Sequence, residues 1–195
     1  KVYIGSCDNN VYCLDASDGE LVWSYKTGDW IVDSSPAIAD GKVYVGSYDH
    51  NLYCLNATTG ALEWIFSTLN NVYTSPAIAY DKVYFFGDND VYCLNATDGE
   101  LVWDYRTGSS MHSSPAIADG KVYIGSDDYN VYCLDATDGK LVWRYETGYM
   151  VQSSPAIADG KVYVGSCDCN VYCLSATNGK LVWRYETGYM VQSSP

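Results

Sequence analysis

The sequence predicts an all-β protein: a β-propeller of four-stranded antiparallel blades, five in number. Three observations carry this reading. First, the 195 residues resolve into near-copies that start at Lys1, Lys42, Lys82, Lys121 and Lys161, so the starts lie 41, 40, 39 and 40 residues apart. A fixed period of that size marks a repeat architecture. Second, each copy holds four short runs rich in Val, Ile and Tyr, separated by turns that carry Gly, Asn or Asp. Third, the runs are apolar on both faces, which a sheet wetted on one side would not be. Sheets sandwiched between copies of themselves describe blades.

The unit Lys121 to Gly160 and its successor show the elements in order. Ser154-Pro155-Ala156-Ile157-Ala158 is the first run, and Asp159-Gly160 after it is a strong two-residue hairpin signal. Lys161 to Ser166 is the second run, followed by the turn Asp168-Cys169-Asn170. Val171-Tyr172-Cys173-Leu174 is the third, Ala176-Thr177-Asn178-Gly179 turns the chain, and Leu181-Val182-Trp183-Arg184-Tyr185 is the fourth. No window carries a 3.6-residue apolar stripe, so helix is rejected. A parallel β-helix is disfavoured by the tight hairpins. The whole of residues 1–195 reads as one domain with repeats 1–41, 42–81, 82–120, 121–160 and 161–195. Repeat two is the most worn, with Tyr80-Asp81 in place of Asp-Gly; repeat three shortens its middle turn to Gly87-Asp88-Asn89-Asp90.

The segment Asp135-Ala136-Thr137-Asp138-Gly139-Lys140-Leu141-Val142-Trp143, closing with Thr147-Gly148, resembles the tryptophan-docking motif of the PQQ-like propellers, which include quinoprotein dehydrogenases and the outer-membrane assembly lipoprotein propeller. It recurs around Ala16/Gly19/Trp23, Ala57/Gly60/Trp64, Ala96/Gly99/Trp103 and Ala176/Gly179/Trp183, covering essentially the full chain. The resemblance implies that Trp23, Trp64, Trp103, Trp143 and Trp183 each pack against a neighbouring blade. It also suggests an extracytoplasmic or cell-surface location.

The net charge of −13, from 24 acidic and 11 basic residues, argues against a nucleic-acid backbone or an anionic membrane surface as partner. No apolar stretch approaches the roughly 18 residues of a membrane helix. Of the eight cysteines, Cys13, Cys54, Cys93, Cys133 and Cys173 share one repeat position. Equivalent positions on stacked sheets lie ~10 Å apart, beyond the roughly 7 Å that a disulfide spans, so these five are expected to be free, buried thiols. Cys7, Cys167 and Cys169 fall on turns.

The chain opens at Lys1 on a second strand, while Ser193-Ser194-Pro195 begin a first strand. The expectation is a ring closed by N- and C-terminal strands sharing a blade, with a fragment of a larger propeller, or self-association through the incomplete blade, as the alternatives.

Near-identical copies specify fold, so ligand information should lie where copies differ. The connection between the fourth run of one blade and the first of the next is the most variable segment. Its last position reads Asp33, Tyr73, His112, Gln152, Gln192, flanked by Trp30, Tyr149 and Tyr189. These side chains are the candidate binding residues at the mouth of the channel, for a protein or a small molecule. No catalytic residue and no metal site is assigned. The adjacent Cys-Cys pair of quinoprotein dehydrogenases is absent, and neither PQQ nor calcium is supported by placed ligands. The Asp-x-Asn turns (Asp8/Asn10, Asp49/Asn51, Asp128/Asn130, Asp168/Asn170) offer too few oxygens for calcium and suit hairpin chemistry. His50 and His112 are too isolated for zinc. The function expected is therefore that of a non-catalytic scaffold or binding module, with a quinoprotein fragment or a self-assembling repeat protein as alternatives.

Overall fold

A computed structural model of the chain describes residues 1–87 and 89–195. Among these residues all regular structure is β. The strands fall into five antiparallel sheets in chain order. The first holds β1 (Val2–Gly5), β2 (Asn10–Leu14) and β3 (Leu21–Lys26). The second holds β4 (Ala37–Ala39), β5 (Lys42–Gly46), β6 (Asn51–Asn56) and β7 (Leu62–Ser67). The third holds β8 (Ala77–Ala79), β9 (Lys82–Gly87), β10 (Asp90–Asn95) and β11 (Leu101–Arg106). The fourth holds β12 (Ala116–Ala118), β13 (Lys121–Gly125), β14 (Asn130–Asp135) and β15 (Leu141–Glu146). The fifth holds β16 (Ala156–Ala158), β17 (Lys161–Ser166), β18 (Asn170–Ser175) and β19 (Leu181–Glu186). These are the four-stranded propeller blades expected, save that the first sheet ends at three strands. The strand that Ser193-Ser194-Pro195 was expected to lend it is not among the ladders of the described residues. The shortened turn of repeat three includes Asp88, which lies outside the described residues.

Turn chemistry sets these boundaries. Asp40-Gly41, Asp119-Gly120 and Asp159-Gly160 have both residues at positive φ, the geometry that joins twisted strands by two residues. The worn pair Tyr80-Asp81 adopts it too, at φ 55° and 56°, without a glycine to make it cheap. Between third and fourth strands the register slips by one residue beside the tryptophan: Cys133 faces Trp143, while Leu134 faces Leu141. The same slip recurs at Cys13/Leu14, Cys54/Leu55 and Cys173/Leu174.

The chain forms two compact units, Lys1–Asp88 with Tyr92–Val102, and Asn89–Val91 with Trp103–Pro195. In the first unit, Val11, Cys13 and Trp23 of one sheet pack on Val43, Val45 and Leu55 of the next. Tyr44, Cys54 and Trp64 do the same against Val83, Phe85 and Leu94. In the second unit, Val131, Cys133 and Trp143 pack on Val162, Val164 and Leu174. Both faces of the middle strands of the second, third and fourth sheets are thereby dry, as their two-sided apolar pattern requires.

One junction repeats inside both units. The Trp23 ring lies 2.7 Å from where a Cβ on Gly60 would stand, and Trp64 stands likewise at Gly99. Trp103 on Gly139 and Trp143 on Gly179 give 2.6 Å. Each of these glycines has positive φ as well, so a side chain is barred twice. The indole N–H then donates to the alanine carbonyl three residues before the glycine: Ala57 at 3.3 Å, Ala96 at 3.4 Å, Ala136 at 3.2 Å and Ala176 at 3.0 Å. These four rings are 8–9 % exposed, and Trp183 is 44 % exposed.

A second device ties sheets together. The Asp128 carboxylate accepts from its own turn (Asn130 N, 3.1 Å), from Tyr132 Oη (2.6 Å) and from Gly108 N of the preceding repeat (2.8 Å). Asp49 and Asp168 are engaged in the same way, by Tyr53 with Gly28 and by Tyr172 with Gly148. Burial pushes Asp128 and Asp168 up, but the tyrosine, asparagine and glycine donors outweigh it and hold both carboxyls below the ordinary 3.8. The Asp-x-Asn turns thus spend their oxygens on the protein's own donors.

Candidate binding site

The variable position of each of the first four repeats is held by its neighbours. The residue after it is a small hydroxyl side chain, buried, that accepts from the end of the second strand. Ser34 takes Gly46 N at 2.9 Å, Thr74 takes Phe86 N at 3.3 Å, Ser113 takes Gly125 N at 3.0 Å, and Ser153 takes Gly165 N at 3.1 Å. Backbone bonds pin the turn beyond: Tyr48 N donates to Trp30 O at 2.9 Å, Asp127 N to Ser110 O at 3.0 Å, and Cys167 N to Met150 O at 2.8 Å. The variable side chain is therefore set against the residue two beyond the strand-end glycine.

In the second unit this builds a polar chain. His112 Nε2 lies 3.4 Å from Asp127 Oδ2, with the imidazole half in water and the carboxylate largely covered. Gln152 Nε2 donates to Asp127 Oδ1 at 3.3 Å, and Gln192 Nε2 donates to Gln152 Oε1 at 2.9 Å. The Cys167 thiol points at the same Gln152 oxygen, 3.8 Å away. Although it sits on a turn, Cys167 is only 6 % exposed. Burial raises its pKa, and the charges of Asp127 and Asp168 add to that against the bond with Gln192. It is held as a thiol, the unreactive form. The imidazole pairs with the Asp127 carboxylate. The group presents hydrogen-bond donors and acceptors to water.

In the first unit the same positions are aromatic and acidic. Tyr48 and Tyr73 meet edge to face, ring centroids 6.4 Å apart. The Tyr48 phenol is pushed up by burial, then by the charges of Asp33 and Cys7. Of the flanking aromatics, Tyr149 stacks on Tyr129 at 5.1 Å. Trp30 is 54 % and Tyr189 73 % exposed. Sequence reasoning did not place Cys7, Tyr48, Asp127 and Cys167 in the site. The signal was present, since Asp127 and Cys167 differ between otherwise matching copies. Among the described residues no group of three or more His, Cys, Asp or Glu side chains converges as a metal site would require.

The family described as outer membrane protein assembly factor BamB matches the sequence over residues 1–87 and 75–194. Among solved structures, BamB from Moraxella catarrhalis is similar with a TM-score of 0.85 at 22 % identity, over 98 % of this chain and 62 % of that one. The quinohemoprotein alcohol dehydrogenase ADHIIG from Pseudomonas putida HK5 is similar with a TM-score of 0.79 at 19 % identity, over 94 % of this chain and 40 % of that one. This chain thus spans less than two thirds of the length of either. At such identities the likeness speaks of fold alone. No curated protein sequence matches the chain.

Proposed function

Because the chain belongs to the family of the outer membrane protein assembly factor BamB, we infer that it is a non-catalytic propeller scaffold that binds a protein partner outside the cytoplasm. The observation that carries this reading is the chain His112–Asp127–Gln152–Gln192, which is polar, partly exposed and built at positions where the copies diverge. Amide and imidazole groups of this kind suit the backbone and polar side chains of a peptide segment. The Tyr48–Tyr73 pair of the first unit offers flat apolar surface with polar tips, the side-chain type enriched where proteins meet.

The alternative is a piece of a PQQ-dependent dehydrogenase, favoured by the likeness to the Pseudomonas enzyme. The residues do not fit that cofactor. A polycarboxylate quinone with calcium wants cationic side chains and free carboxylate oxygens. The cluster holds one carboxylate, Asp127, and both of its oxygens face donors. We derive no step through the quinone.

The test places a photo-crosslinking residue at position 152, with position 140 on an exposed turn as control, in cells that produce the protein. Discrete protein adducts from 152 and not from 140 are expected. A tight stoichiometric complex with added PQQ and calcium, seen as a quinone absorbance band that reduces with alcohol, would overturn the scaffold reading.

A further inference from the structure

A threonine clamps two turns of each repeat together, and the side chains on those turns change from copy to copy. Beside the fourth sheet this residue is the buried Thr147. Its N–H donates to the Tyr129 carbonyl at 2.8 Å, and its Oγ1 lies 2.7 Å from the carbonyls of both Tyr129 and Tyr149. Thr27 holds Asn9 and Asp29 in the same way, Thr68 holds His50 and Asn70, and Thr107 holds Asn89 and Ser109. The backbone frame is copied; Tyr129 and Tyr149 are what the fourth repeat has placed on it.

The two rings form an aromatic platform. Their centroids are 5.1 Å apart and their planes 27° from parallel. Tyr129 is 39 % and Tyr149 43 % exposed. The fifth sheet already packs on the fourth, so this wetted surface belongs to the turns and not to an open sheet face. Tyr129 also holds φ 73°, a region in which a bulky side chain is strained. Its counterpart Asn9 has the same φ, and asparagine takes it at little cost.

The residues around the rings decide the charge of what could sit on them. Residues 127–130 and 146–152 include Asp127, Asp128 and Glu146, and no lysine or arginine. Glu146 is exposed and stands opposite Asn130, the neighbour of Tyr129. In a chain of net charge −13 such a surface repels anions and draws cations. An aromatic face beside carboxylates suits a cation, and a guanidinium more than an ammonium. The guanidinium is planar, lies flat on a ring, and keeps a fork of N–H donors for a carboxylate.

We propose, resting on the protein-binding reading, that Tyr129 and Tyr149 seat an arginine side chain of a basic peptide segment, with Glu146 as its counter-charge. The strained conformation of Tyr129 is kept because the ring makes this contact.

The experiment is fluorescence anisotropy at physiological salt with labelled peptides of alternating glycine and arginine, glycine and lysine, or glycine and glutamine. The arginine peptide is expected to bind roughly fivefold tighter than the lysine peptide of equal charge, and the glutamine peptide not to bind. Tyr129→Asn and Tyr149→Ser install the residues of Asn9 and Ser109, which the same clamp holds. Far-UV circular dichroism and urea midpoints should therefore show both variants folded. Each is expected to weaken the arginine peptide about tenfold, the size of a cation–aromatic contact, and to leave the lysine peptide little changed. An arginine peptide that does not bind, one that binds no better than the lysine peptide, or a preference that survives both substitutions would each overturn the proposal. Adducts from position 152 without an arginine preference would sink the arginine seat and leave the scaffold reading standing. A tyrosine-dependent preference without such adducts would support the seat and count against the polar chain as the binding surface.

Discussion

Residues 139–155 and 179–195 are identical in sequence, so Trp143 and Trp183 form a natural experiment in which only the surroundings differ. Both stand opposite the repeat cysteine, and both rings meet a tyrosine of the second strand, Tyr123 at 5.9 Å and Tyr163 at 6.0 Å. Trp143 adds what the next sheet supplies: Gly179 against its ring and the Ala176 carbonyl 3.0 Å from its Nε1. Trp143→Ala opens a large cavity between two sheets, which costs about 3–5 kcal/mol for a buried aromatic. Trp183→Ala removes a ring that is 44 % exposed and leaves a groove that water fills, so the cost falls to about 1–2 kcal/mol of lost apolar burial. The measurement is urea unfolding of both variants at protein concentrations low enough to keep the chain monomeric. A midpoint shift for Trp143→Ala at least twice that for Trp183→Ala is expected, at similar slope. Equal shifts would show that the tryptophan stabilises within its own sheet and would refute the contribution assigned to the next sheet's glycine and carbonyl.

Three further outcomes follow from particular contacts. Asp128 and Asp168 have carboxyls depressed below 3.8, so their contribution is complete above that pH and is lost as pH falls through the lower folded value; Tyr132→Phe and Tyr172→Phe should each lose about 1–2 kcal/mol near neutrality and less in acid, read by thermal melts between neutral pH and pH ~3. Burial pushes the thiols of Cys54, Cys93 and Cys133 up to about 12, so iodoacetamide at mildly alkaline pH should leave them unmodified in the folded chain while exposed Cys7 reacts, as intact and peptide masses will show. Asp81→Gly should raise stability by about 1 kcal/mol, because a glycine accepts the φ of 56° that the aspartate holds under strain, and a higher urea midpoint with unchanged slope would register it.

The strands were legible because two local signals agreed: runs of Val, Ile and Tyr, and turn residues able to take positive φ. In the fifth repeat the third run was expected over Val171 to Leu174, and the strand is Asn170–Ser175. What stayed hidden are relations between residues far apart in sequence. The turns Asp128/Asn130 and Asp168/Asn170 read as hairpin chemistry, yet each aspartate also reaches a tyrosine four residues on and a glycine 20 residues back. Nothing in a hydrophobic period encodes that bridge; it appears only once one sheet is laid against the next. The residues around the variable position were hidden for the same reason, since Asp127 meets Gln152 across 25 residues.

The contrast between Asp127 and Cys167 shows how a repeat protein changes the chemistry of one position without altering its frame. Both residues hang from the same backbone bond, Asp127 N to Ser110 O and Cys167 N to Met150 O. The carboxylate draws in His112 and the Gln152 amide; the thiol points at the Gln152 oxygen, which also accepts from the amide of Gln192. One exchange of side chain thus replaces an anionic, imidazole-paired group by a neutral thiol beside an amide pair, while the strand-end glycine and the buried serine stay unchanged. The side chains at the variable positions are free to change because the copied residues already hold the sheets together.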